Sequence, residues 1–209
     1  MADLFSDDFE GASGSLSGRV TDGLAWDVLG SVDLDGAGAI SSFGGSCAIT
    51  IPEARFSASE WVEVEFGFTN LSSGRLRTRF CTPASQGNTN PGNPGCLAEF
   101  DLYYNAGTSL IADDNAVNLQ DYLTSPTSGV AVMRFTPGSP TVLLHVNGVL
   151  IGTADTTGSV PMGAITGDMV VRFEFLFGPT VTSLVVRDQS GGAGPSPFWT
   201  AFANTFEVA

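Results

Sequence analysis

The chain has 209 residues, of which 43% are hydrophobic and only 14% charged, against about 25% charged in an ordinary globular domain. That is enough apolar residue to bury a core, in one large β domain rather than a disordered segment. Twenty-two acids face eight bases, every one an arginine, for a net charge of −14. This balance argues against nucleic acid and anionic membranes as partners, since both are bound by basic residues meeting phosphates.

The opening, Met1 to Asp8, carries neither the basic stretch nor the apolar run of a signal peptide. The expectation is a chain without a leader. From Trp61 onwards apolar residues recur at period two. Trp61–Phe68 sets Val62, Val64, Phe66 and Phe68 on one face and Glu63, Glu65 and Gly67 on the other, the pattern of a half-buried strand. Arg75–Phe80 repeats it, with Leu76, Thr78 and Phe80 inward and three arginines outward. The same reading predicts strands at 97–104, 129–135, 141–146, 149–154, 169–177 and 181–187. Gly, Pro, Asn, Asp and Ser punctuate them, as in a sandwich or barrel.

Asn147-Gly148 supplies the two positive-φ positions of a type I′ turn. A two-residue loop would set Val146 against Val149, Leu144 against Ile151 and Val142 against Thr153, so that face meets the core. His145, the chain's single histidine, then lies on the other face across from Leu150, with a structural role expected. Residues 189–197 read as a Gly/Pro/Ser linker. Behind it Phe198, Phe202 and Phe206 recur every fourth residue beside Trp199, a short amphipathic stretch of the kind that anchors a partner.

Three segments together resemble the concanavalin A-like lectin/glucanase family, which includes laminin-G-like domains. They are the opening Leu4–Gly11 with Gly14–Arg19 and Asp22–Trp26, the hairpin Leu143–Gly152, and the closing Thr182–Asp188. The opening looks like the first segment of such domains in tailed-phage proteins. The resemblance implies an all-β jelly-roll β-sandwich of two antiparallel sheets, with the first strand near the last, over 1–189. Residues 190–209 form the linker and extension. The fold hosts lectins, glycanases and scaffolds, so it does not by itself assign a function.

Glucanases of that family carry three acids at alternate positions of one strand, because the reaction needs two carboxylates flanking the glycosidic bond. The match considered is Glu63-Val64-Glu65-Phe66-Gly67, which lacks an acid at its third position. The bland reading is a hairpin around 70–74 that pairs Glu65 with Arg77 and Glu63 with Arg79 in a solvated ladder, flanked by Arg75. The sharper one is an arginine stripe that grips a sulfated or uronic glycan.

Cys81 and Cys96 end one strand and begin the next. A bridge across that loop would be worth about 3 kcal/mol in the chain-entropy model, and reduced thiols fit the sequence equally. Cys47 reads as a small core residue. Asp33-Leu34-Asp35-Gly36 lacks the remaining spacing and distal Glu of a calcium loop, and Ala112-Asp113-Asp114-Asn115 with Asp121 offers hard oxygen ligands; in so acidic a chain both read as solvated turns. The sequon Asn70-Leu71-Ser72 stands at chance level.

No catalytic residue, metal or cofactor is expected. The leading expectation is a non-enzymatic structural protein of a tailed-phage virion: a capsid decoration, head appendage or tail component, assembled in the host cytoplasm. It would be held by other virion proteins and by its own copies through Phe198, Trp199, Phe202 and Phe206. The alternative is a lectin module for host-surface glycans, and the third reading is a degenerate glycanase.

Overall fold

The computed structural model describes residues 2–56, 61–71, 74–85, 96–103, 107–112, 115–119, 127–135, 141–155 and 167–188. The expected aromatic extension, Phe198, Trp199, Phe202 and Phe206, lies outside them, as do Asp113, Asp114 and Asp121.

Seventeen strands follow one another, with no α-helix among the described residues. They are β1 (Ala2–Asp7), β2 (Gly14–Ser15), β3 (Val20–Thr21), β4 (Leu24–Leu29), β5 (Asp33–Leu34), β6 (Ile40–Ser41), β7 (Ser46–Ile51), β8 (Val62–Thr69) and β9 (Arg75–Cys81). Then come β10 (Cys96–Tyr103), β11 (Gly107–Ala112), β12 (Asn115–Leu119), β13 (Gly129–Phe135), β14 (Thr141–Val146), β15 (Val149–Asp155), β16 (Met169–Leu176) and β17 (Thr180–Asp188). One sheet runs β15-β14-β13-β8-β17-β6-β5-β2, with β1 also paired to β17. The other runs β12-β11-β10-β9-β16-β7-β4-β3. Every pairing is antiparallel.

This is the two-sheet sandwich that period-two patterning implies: each sheet turns one apolar face inward. Val64, Phe66 and Phe68 of β8 enter the same buried cluster as Leu76 and Phe80 of β9, Phe100 of β10 and Phe173 of β16. Phe66 meets Phe173 at 5.5 Å and Phe100 at 6.1 Å between ring centroids, and Phe80 meets Phe135 at 4.9 Å. Burying each such ring is worth about 1.5–3 kcal/mol. First and last strands are neighbours, with Phe5 in register with Val186 and Asp7 with Leu184.

Asp7 locks the N-terminal strand to the next hairpin. Its buried carboxylate accepts bonds from Arg19 Nη2 (2.7 Å), Thr21 Oγ1 (2.7 Å), Trp26 Nε1 (2.9 Å) and the Phe9 amide (2.8 Å). Burial alone would raise the Asp7 pKa, but these bonds outweigh it and hold the carboxyl below its ordinary value.

Two expected registers are corrected. β8 and β9 are not a hairpin: β8 lies between β13 and β17, whereas β9 lies between β10 and β16. Their apolar faces meet across the core instead of lying side by side, an outcome that alternation alone does not distinguish. Asn70 at φ 57° and Gly74 at φ 89° turn the chain from one sheet to the other. In the 147–148 hairpin, Val146 opposes Val149 and His145 opposes Leu150, as expected. Beyond them a bulge at Ile151 shifts the pairing, so Leu144 faces Gly152 and Val142 faces Ala154.

Candidate functional site

The pleat that buries Leu76 and Phe80 turns Arg75, Arg77 and Arg79 to the outer face of the eight-stranded sheet. β10 lies alongside with Asp101 opposite Arg77 and Glu99 opposite Arg79, and β16 on the other side brings Glu174 and Arg172 to the same registers. Four of the chain's eight bases thus share one face with three carboxylates.

Arg75, Arg77 and Arg79 form one network with the three carboxylates, while Arg172 donates to Ser46 Oγ at 2.9 Å. Asp101 is bound by Arg75 through a two-point contact, and its Oδ1 lies 3.0 Å from Arg77 Nε. Glu99 accepts from Arg79 Nε at 2.5 Å and lies 3.0 Å from Arg77 Nε. Glu174 is 3.3 Å from Arg77 Nη1 and 3.1 Å from Arg79 Nη2. Although it faces away from the core, the Arg79 side chain is only 1% exposed. Burial pushes the Glu99 carboxyl up, partly offset by Arg79. For Arg77, burial works against the charge, but Asp101, Glu99 and Glu174 together keep the guanidinium more firmly protonated than usual.

A cavity of about 160 Å³ opens on this face, lined by Arg75, Arg77, Glu174, Leu176, Phe175 and Gly44. Ala48, Cys81 and Val170 form a small buried apolar cluster of their own.

The expected ladder is therefore rearranged. Arg77 and Arg79 pair with Glu99, Asp101 and Glu174, not with Glu65 and Glu63. Glu63 and Glu65 stand on the outer face of the other sheet. Glu63, buried, binds Arg134 at 2.5 Å, and that guanidinium lies 4.7 Å from the centre of the Trp61 ring. Glu65 binds Arg187 at 3.0 Å, which also reaches Asp3. All four named residues are in ion pairs between strands, each with a partner from another part of the chain. Long-range sheet order set those partners, and local register did not.

Cys81 is a free, buried thiol, pushed up to about 11 by burial. Its backbone position is the partner of Cys96 across β9 and β10. Cys47 is likewise free and sits in the core. His145 is buried on the outer face of the nine-stranded sheet, and burial together with Arg134 lowers its pKa to about 4. Asp35 caps a turn, accepting from the amides of Ala37 (2.7 Å) and Ala39 (3.0 Å). Among the described residues, no group of three or more His, Cys, Asp or Glu is placed to hold a metal ion.

Glu99 and Asp101 were missed from sequence, though the signal was present. Glu99-Phe100-Asp101-Leu102-Tyr103 has acids at alternate positions with Tyr103 in third place, a closer match to the glucanase pattern than Glu63–Gly67.

The architecture is that of the concanavalin A-like lectin/glucanase sandwiches, as the solved structures it resembles bear out. An endo-1,3-β-glucanase from Streptomyces sioyaensis matches at TM-score 0.51 and 12% identity, over 88% of this chain and 95% of that one. Rv0315 of Mycobacterium tuberculosis, described as an immunostimulatory antigen and pseudo β-1,3-glucanase, matches at 0.55 and 15%, over 91% and 100%. The carbohydrate recognition domain of Emp46p matches at 0.52 and 11%, over 79% and 89%. No family model and no curated protein sequence matches the chain.

Proposed function

We propose that this protein is a non-hydrolytic carbohydrate-binding sandwich whose ligand lies on the outer face of the eight-stranded sheet. The observation that carries the reading is the cavity beside Arg75, Arg77 and Glu174, where guanidinium and carboxylate groups are fixed by each other and present a fan of directed polar atoms. Sugar hydroxyls donate and accept at once, which suits a site of paired charges better than a site of one sign. The likeness to a glucanase and to a carbohydrate recognition domain supports this choice of ligand class.

The same network argues against hydrolysis. A retaining glycosidase needs a free nucleophile and a proton donor about 5–5.5 Å apart. Glu99 has the raised pKa of a donor, but Arg77 and Arg79 hold its oxygens. Asp101 is held by Arg75 and Arg77, and the third position of the alternation is Tyr103.

The virion setting is a second reading. It rests on the opening Leu4–Trp26 and on the aromatic residues 198–206, and it would make this module an adsorption element for host-surface glycans. Calorimetric titration with β-1,3-gluco-oligosaccharides, beside an assay for released reducing ends, tests the main reading. Micromolar binding without release is expected. Reducing ends would overturn the non-hydrolytic assignment, and absence of binding would overturn the ligand class.

A further inference from the structure

The arginine cavity does not stand alone. A second cavity of about 300 Å³ is lined by Ser31, Asp33, Ser41, Ser42, Phe43 and Gly45, and it shares Gly44 with the first. Small-molecule sites usually enclose about 300–1,000 Å³. The first cavity falls short of that range and the second only reaches its lower end, so a ligand that fills such a volume has to span both.

The rim between them is apolar. Phe43 is 80% exposed, and Leu176 (44%) and Phe177 (57%) stand close by. The Phe177 amide donates to the Phe43 carbonyl at 3.3 Å, which ties the end of β16 to this loop. Phe177 is held at φ 61°, a conformation rare for an aromatic residue and found mostly where the surrounding structure imposes it, commonly at binding sites. The loop itself is preformed: Ser42 Oγ accepts from the amides of Gly44 (3.2 Å) and Gly45 (2.7 Å) and donates to the Ser31 carbonyl.

From this geometry we infer that the ligand is an extended neutral sugar chain, running from the arginine cavity over Gly44 into the serine-lined cavity and stacking one ring on Phe43. The inference rests on the glycan-binding reading above and adds the path, the length and the charge class. Stacking follows because a pyranose turns an apolar C–H face to an aromatic ring while its edge hydroxyls reach serine hydroxyls. Neutrality follows because the second cavity holds Asp33 and no base, so a sulfated or uronic chain would be repelled there. A second observation weighs against the sulfated or uronic glycan considered for the arginine stripe: each of its guanidinium groups already has a carboxylate partner.

Gly44 supplies a clean test. It has an ordinary φ, and a Cβ built there meets no atom within 4 Å, so a large side chain blocks the path without entering the fold. Wild type, Gly44→Trp and Phe43→Ala are titrated with β-1,3-gluco-oligosaccharides of two to six rings, with circular dichroism as the check on folding. Wild-type affinity is expected to rise at least about tenfold from shortest to longest. Both variants lose that gain. Equal affinity at every length, or unchanged gain in Gly44→Trp, overturns the extended path and leaves the glycan-binding reading standing. Tighter binding of a sulfated or uronic oligomer overturns neutrality alone. No binding at any length overturns both readings together.

Discussion

Arg79 and Glu99 meet at 2.5 Å on the outer face of the eight-stranded sheet, each almost wholly withdrawn from solvent. Removing one partner of such a pair leaves a buried charge uncompensated, which costs about 3–5 kcal/mol. Arg79→Met still leaves Arg77 beside Glu99, so it is expected to destabilise the fold by up to that amount in urea denaturation. The double variant Arg79→Met, Glu99→Leu recovers a large part of it, because two apolar groups of similar volume leave no orphaned charge. Additive losses would show that the pair does not act as a unit.

Glu63 and Glu65 have similar neighbours in sequence but unequal burial, with side chains 1% and 22% exposed. Glu65→Gln is expected to cost at most about 1 kcal/mol, as partly solvated pairs do. Glu63→Ala leaves Arg134 without its carboxylate under the Trp61 ring and is expected to cost about 3 kcal/mol. The ranking, read from denaturation midpoints at constant slope, is the test; equal losses would contradict it.

The strands within Val62–Cys81 and several within Gly129–Asp188 were legible from apolar runs near period two bounded by turn residues, and the turn at Asn147-Gly148 names its own geometry. β2, β3, β5 and β6 were not, since two-residue strands have no period to read. The site was half legible. Arg75, Arg77 and Arg79 stood out as a stripe, yet their partners come from other strands, and Glu174 lies 97 residues from Arg77. Alternation assigns a residue to a face; only the order of strands in the sheets decides which residues share it. The cavities on either side of Gly44 were invisible for the same reason, since their lining is drawn from four strands and the loops between them.

Cys81 and Cys47 are both free, buried and pushed up in pKa, Cys81 to about 11. The thiolate is the reactive form. Iodoacetamide at pH 8 is therefore expected to leave both unmodified in the native protein and to label both in urea, as read by peptide mass spectrometry. Fast native labelling of Cys81 would contradict its burial.

Two buried groups give the protein an acid response, and the sign is the same for both. His145 titrates near 4 in the folded protein against about 6.5 unfolded. Below the unfolded value the unfolded chain takes a proton that the folded chain refuses, so stability falls as pH drops from about 6.5 to about 4. Asp7 has a folded pKa held below its ordinary value. It contributes stability above the unfolded carboxylate value, and this is lost as pH falls through its folded pKa. Glu99 opposes them, because its raised folded pKa favours the folded state on the acid side. The windows separate His145 from Asp7: between pH 6.5 and 5 His145 lowers stability, Glu99 with its raised pKa works against it, and Asp7 does not yet act. His145→Gln should flatten the stability curve there, by on the order of 1–2 kcal/mol, whereas Asp7→Asn should leave that stretch of the curve unchanged in shape and remove the steeper loss below about pH 4. Denaturation midpoints at half-unit pH intervals for the three proteins decide it. A His145→Gln curve with the same slope as wild type from 6.5 to 5 would show that His145 takes up its proton in the folded chain as readily as in the unfolded one.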